Sequence, residues 1–124
     1  MPEPERPKRI LYDGEPVDIQ WVRSVGSFKD GYPTAGRHTP ATGTKRALIE
    51  IKTGQDFDGQ RVTLLHELAH NAADRSDSRH FFSVKVEEAV LTSIDTFLYL
   101  ALRDNPALLA WMFPDAVREA AKLL

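Results

Sequence analysis

Apolar and polar residues alternate in two stretches of the first half of the chain. Over Val17-Asp18-Ile19-Gln20-Trp21-Val22-Arg23 apolar side chains recur at every second position. That is the period of a strand with one face buried. Arg46-Ala47-Leu48-Ile49-Glu50-Ile51-Lys52 reads as a second strand, with Ala47, Ile49 and Ile51 on one face. Ile10 to Tyr12 starts a shorter one, followed by the turn pair Asp13-Gly14. Between these strands, Gly26 to Thr44 holds four glycines and two prolines. It reads as a long loop with room for a short hairpin segment, and loops of that length in a compact domain are often functional.

In the second half the apolar period changes to three and four, the spacing of helices. One helix is expected from Gln60 to Ala73, with Asp56 or Asp58 able to cap its first amides. Val62, His66, Ala69, His70 and Ala73 form one side of it, while Leu65, Leu68 and Ala72 form another, which should pack on the sheet. Asn71 to Ser78 is a polar connection. A second long helix runs from about Ser83 to Arg103, with Val86, Val90, Leu91, Ile94, Phe97, Leu98 and Ala101 as its apolar set. Asn105-Pro106 breaks the chain, the Asn capping and the Pro opening a short apolar helix from Ala107 to Phe113. Pro114 opens the last helix, Asp115 to Leu124. Strands followed by helices predict an α+β domain over residues 10–124. A small N-terminal sheet should pack on the first helix, and the second helix should cross it. Residues 1–9, with three prolines and alternating charges, read as a mobile arm.

Composition narrows the function. With 124 residues the chain can build one real core but not two. A net charge of -2 is no basic footprint, so nucleic acid is not the expected partner. There is no cysteine, which excludes disulfides and a Cys-based zinc site and fits a cytoplasmic protein. The N-terminus lacks the apolar run of a secretory signal, and no stretch approaches the ~18 apolar residues of a membrane span.

The chemistry concentrates in Leu64-Leu65-His66-Glu67-Leu68-Ala69-His70, an HExxH pattern inside the first helix that takes up half of the chain's four histidines. Residues four apart share a helix face, so His66 and His70 can hold one metal ion through their imidazoles. Glu67 stands beside that face, where a carboxylate can take a proton from a metal-bound water. Zinc suits nitrogen ligands, and a catalytic zinc wants a third protein ligand. Three and six residues after His70, where metzincins carry Gly and His, stand Ala73 and Ser76, so that class is rejected. Asp77 and His80 could ligate if the connection folds back. Glu87 is the favoured third ligand. On a wheel of about 100° per residue it falls among Val90, Leu91, Ile94 and Leu98, and a carboxylate in an apolar face needs a cation. Glu88 is the fallback.

These motifs resemble the gluzincin branch of the zincin metallopeptidases, and more closely the small HExxH proteins encoded by phages and prophages. The likeness rests on Thr63-Leu64-Leu65-His66-Glu67, on Glu87-Glu88-Ala89-Val90 and on Asp104-Asn105-Pro106, and spans residues 46–113. It implies a zinc site of His66, His70 and Glu87 with Glu67 as catalytic base, but not a substrate; the reaction expected at such a site is hydrolysis of a peptide or protein. It also implies that the strand Arg46 to Thr53 lies at the cleft edge and pairs with extended peptide. A donor for the developing oxyanion is required, with His80, Tyr99 and His38 as candidates. The rival reading is a metal-stabilised binding or assembly module that cuts nothing. A second rival is an interaction protein using the apolar stretch Ala107 to Phe113.

Overall fold

A computed structural model describes residues 5–25, 35–75 and 83–124. Four strands, β1 (Arg9–Tyr12), β2 (Glu15–Val22), β3 (Gly36–Thr39) and β4 (Ala47–Lys52), are followed by four helices. These are α1 (Phe57–Arg75), α2 (Val84–Arg103), α3 (Pro106–Met112) and α4 (Pro114–Ala121). The architecture is α+β, as the change of apolar period predicts. The sheet is mixed, in the order β1-β2-β4-β3. β1 and β2 form an antiparallel hairpin. Its turn is Asp13-Gly14, with φ of 49° and 79°. Two successive left-handed residues give the turn whose twist matches that of the flanking strands.

β2 and β4 run parallel, aligning Val17 with Ala47, Ile19 with Ile49 and Trp21 with Ile51. That register stacks the apolar alternates of both strands on one face. Val17, Ile19, Ala47, Ile49 and Ile51 are all buried there and form the core, with Leu64 and Leu68 of α1 packed against them. Leu68 meets the sheet as expected, but its core neighbour is Leu64 and not Leu65. The expectation that Arg46 to Thr53 lies at the cleft edge and pairs with extended peptide meets a strand already paired on both sides: β4 is an inner strand between β2 and β3. The edge on that side is β3, a four-residue segment inside the loop expected over 26–44, and β1 forms the other edge. Its side chains are Gly36, Arg37, His38 and Thr39, too few apolar positions for a strand period to show.

The most buried line along α1 is polar: Gln60, Thr63, Glu67 and Asn71. The first two belong to a network at the helix start. Gln55 Nε2 donates to the carbonyls of Lys52 (2.9 Å) and Ala35 (3.3 Å). Gln60 Nε2 donates to those of Gln55 (2.9 Å) and Thr53 (3.3 Å), and the Thr63 hydroxyl donates to Gln55 Oε1 at 2.9 Å. Buried polar groups are tolerated because each is satisfied, and the network ties α1 to the ends of β3 and β4. Asp56 takes the cap, accepting from the Gly59 amide at 2.6 Å. Asn105 stands at the start of α3 but turns its side chain back, donating to the Ala101 carbonyl of α2 at 2.7 Å.

The arm expected over 1–9 is held down over residues 6–8. Trp21 Nε1 donates to the Pro7 carbonyl at 2.8 Å, Ile19 N donates to the Lys8 carbonyl at 2.9 Å, and the Arg6 guanidinium stacks 5.3 Å over the Trp21 ring. No helix among the described residues is long and apolar enough to cross a membrane.

Gly36 is where β3 and α1 come closest. A Cβ there would lie 2.5 Å from Thr63 Cγ2, 3.0 Å from the Glu50 carbonyl oxygen and 3.2 Å from Glu67 Cγ. Thr63 is stiff at χ1 within a helix and Glu50 presents backbone, so neither can yield easily. Gly36→Ala is expected to destabilise the fold by about 1–3 kcal/mol, the range of overpacked sites. The urea midpoint measures this, and an unchanged midpoint contradicts the close approach.

Candidate metal centre

α1 and α2 face each other across the two histidines of the HExxH segment. His66 and His70 point their Nε2 atoms at one another, 3.2 Å apart. Each ring is held from behind by a carboxylate of α2. His66 Nδ1–H donates to Asp95 Oδ2 at 2.8 Å, and His70 Nδ1–H donates to Glu87 Oε1 at 2.7 Å. An ionised carboxylate only accepts, so these bonds call for a proton on each Nδ1, while the carboxylate of Glu88 facing both Nε2 atoms calls for a proton or a cation on that side as well. Glu88 closes that space. Its Oε2 lies 2.5 Å from His70 Nε2, and its Oε1 lies 3.0 Å from His66 Nε2.

His66, His70 and Glu88 form a group whose ligand atoms all lie within 4.8 Å of one another. The donor set fits zinc on two counts. Ligands at ~2.0–2.1 Å in a tetrahedral shell stand about 3.3 Å from each other, close to the 3.2 Å between the two Nε2 atoms and the 3.0 Å between Glu88 and His66, while the 2.5 Å from Glu88 to His70 is a hydrogen-bond distance that must lengthen to admit an ion. Two imidazole lone pairs facing each other beside a carboxylate repel unless a cation or proton lies between them. Glu67, Glu87, Glu88 and Asp95 also surround only two imidazoles, and a divalent cation offsets that excess of negative charge.

The expectation takes Glu87 as third ligand with Glu88 as fallback; the described residues bring Glu88 to both Nε2 atoms and Glu87 to the Nδ1 of His70. Glu87 is 7% exposed, as a residue on an inward face should be, but it reaches the Nδ1 side of His70. There it stands where a carboxylate orients a ligating imidazole. Among the described residues its buried Oε2 has no hydrogen-bond partner. The wheel argument failed because it took the apolar side of α2 for the inward side. Val90, Ile94 and Leu98 are 46%, 49% and 49% exposed. The side that meets α1 carries Glu87, Glu88, Asp95 and Tyr99 instead. Asp77 and His80 lie outside the described residues.

Glu67 is buried under β3, in the space that Gly36 leaves. Burial pushes its carboxyl above the usual glutamate range, aided by Glu88 and opposed by His66 and His70. No hydrogen bond or ion pair engages that carboxylate among the described residues. Burial works against the charged form of His66, but the Asp95 hydrogen bond and the charges of Glu88 and Glu67 outweigh it and raise its pKa above 6.5.

The oxyanion candidates fare differently. Tyr99 donates its hydroxyl to Asp58 at the first turn of α1. That is eight residues before His66, about 12 Å along the helix. His38 Nε2 stands 3.0 Å from Asn71 Oδ1, binding β3 to α1 one turn beyond Glu67. His80 lies outside the described residues. Asp95 and Asn71 escaped the sequence reading. Asp95 could have been found from its spacing, since it stands seven residues after Glu88 on the same helix face. No protein-family model, curated protein or solved structure matches this chain.

Proposed function

We propose that the chain is a zinc-dependent metallopeptidase acting in the cytoplasm, with His66, His70 and Glu88 as the metal-holding residues and Glu67 as general base. The observation that carries this reading is the pair of Nε2 atoms turned toward one space, each imidazole fixed through Nδ1 by a carboxylate. Such backing sets the tautomer and raises ligand basicity. A zinc ion held there supplies Lewis-acid polarisation of a peptide carbonyl and lowers the pKa of water. Glu67 adjoins that space with a carboxylate that no described residue engages. Its raised pKa suits the removal of a proton from the attacking water and its delivery to the departing amine nitrogen. Asp95 and Glu87 orient the imidazoles and do not touch substrate.

One observation favours the second reading, a metal-stabilised binding or assembly module. Tyr99 and His38, the described candidates for stabilising an oxyanion, are engaged with Asp58 and Asn71. A silent module binds zinc and cleaves no peptide in a broad library, whereas the metallopeptidase does both.

The test common to both readings is metal content. One zinc per chain is expected by elemental analysis after purification without chelator, and His66→Ala should contain none. A metal-free wild type, or zinc retained by His66→Ala, rejects the centre.

A further inference from the structure

We propose that the metal ion of this centre docks α2, and with it α3 and α4, onto α1. Withdrawing the ion then releases these helices while the sheet and α1 stay folded. The inference rests on the metal centre of the proposed reading and not on peptide cleavage.

The apolar core is divided unevenly along the chain. Val17, Ile19, Ala47, Ile49 and Ile51 hold the sheet to Leu64 and Leu68 of α1. Among the described residues, none of α2, α3 or α4 belongs to that core or packs against it. From Ser83 to Leu124 the one residue described as buried is a charged one, Glu87. A helix ordinarily docks by burying an apolar face, yet Val90, Ile94 and Leu98 of α2 face outward. α2 reaches α1 with polar groups at two places instead. At one, Tyr99 and Arg103 meet Asp58 in contacts open to solvent. Such contacts contribute little. At the other, Glu87, Glu88 and Asp95 meet His66 and His70.

The second contact therefore decides the docking, and its charge does not balance without an ion. Glu67, Glu87, Glu88 and Asp95 surround imidazoles that carry one positive charge each at most. Partly buried charges left without partners destabilise whatever brings them together. A divalent cation reverses the sign of that contact. The donor set also spans the two parts: His66 and His70 belong to α1, and Glu88 belongs to α2. All three donors converge only when α2 is docked, so the free energy of metal binding is also free energy of docking. α3 and α4, of seven and eight residues with none buried, are too short to persist once α2 has left.

Hydrogen exchange read by mass spectrometry on the full chain, with zinc and after its removal by chelator, tests this. In the metal-free protein the amides of α2, α3 and α4 should exchange without protection, while those of β2 and β4 stay slow. Above the Kd, each tenfold rise in free zinc should slow exchange in α2 about tenfold, since the ion binds only the docked form. Magnesium, which prefers oxygen ligands, should not. His66→Ala should exchange as the metal-free protein does at every zinc concentration. Zinc bound at one per chain with α2 exchange unchanged overturns the inference and leaves the metal centre standing. Protection lost in β2 and β4 together with α2 overturns it too, because the ion would then hold the whole fold. Equal protection by magnesium overturns it in favour of charge screening. A chain that binds no zinc overturns both the inference and the centre.

Discussion

Glu67→Gln protein is expected to bind zinc as wild type does and to hydrolyse peptide more slowly by ~10²–10⁴, the usual worth of a positioned general base. The substitution keeps the volume and shape of the side chain, so the tight fit under Gly36 survives. It replaces an oxygen that accepts a proton with an amide that cannot. The proposed metal-holding atoms lie on His66, His70 and Glu88, so zinc content should not change. The variant should be at least as stable as wild type, since a neutral amide is less costly to bury at this site than a carboxylate. Zinc analysis, a peptide-cleavage rate and a thermal melt on one preparation check all three outcomes. Loss of zinc in Glu67→Gln would make Glu67 a ligand. A wild-type rate in the variant would remove its role as base.

Removing Glu88 is expected to abolish most of the zinc affinity, a larger loss than removing Glu87 or Asp95. Glu88→Ala takes away the carboxylate that meets both Nε2 atoms, leaving two imidazoles as the protein's donors. Glu87→Ala and Asp95→Ala leave all three donor atoms in place and release one imidazole ring each from its Nδ1 partner. Such backing carboxylates are typically worth 10–100-fold in metal affinity. The two groups of variants should therefore separate clearly in a zinc titration. If Glu87→Ala loses more affinity than Glu88→Ala, the carboxylates exchange roles when metal binds, and the unpartnered Oε2 of Glu87 is the atom that moves. Equal, small losses in all three would leave His66 and His70 without a third ligand on α2.

Much of this arrangement was legible in the chain before any coordinates. Local rules determined the elements: alternation at Val17–Val22 and Ala47–Lys52, three-and-four spacing through α1 and α2, a cap before Phe57 and prolines opening α3 and α4. The same locality made His66, Glu67 and His70 readable, because residues three or four apart on a helix have a known relation whatever the rest of the fold does. What depended on contacts between distant segments was not legible. β3 has four residues and no apolar period, and only pairing with β4 makes it a strand. That pairing moves Arg46–Thr53 from the edge to the interior of the sheet. The choice between Glu87 and Glu88 turned on the direction α2 faces. A helical wheel ranks faces by hydrophobicity and so points the apolar stripe inward. Here α1 offers α2 two imidazoles, and carboxylates meet imidazoles better than valine and isoleucine do. The polar side of α2 is turned to His66 and His70 for that reason, and Val90, Ile94 and Leu98 face outward.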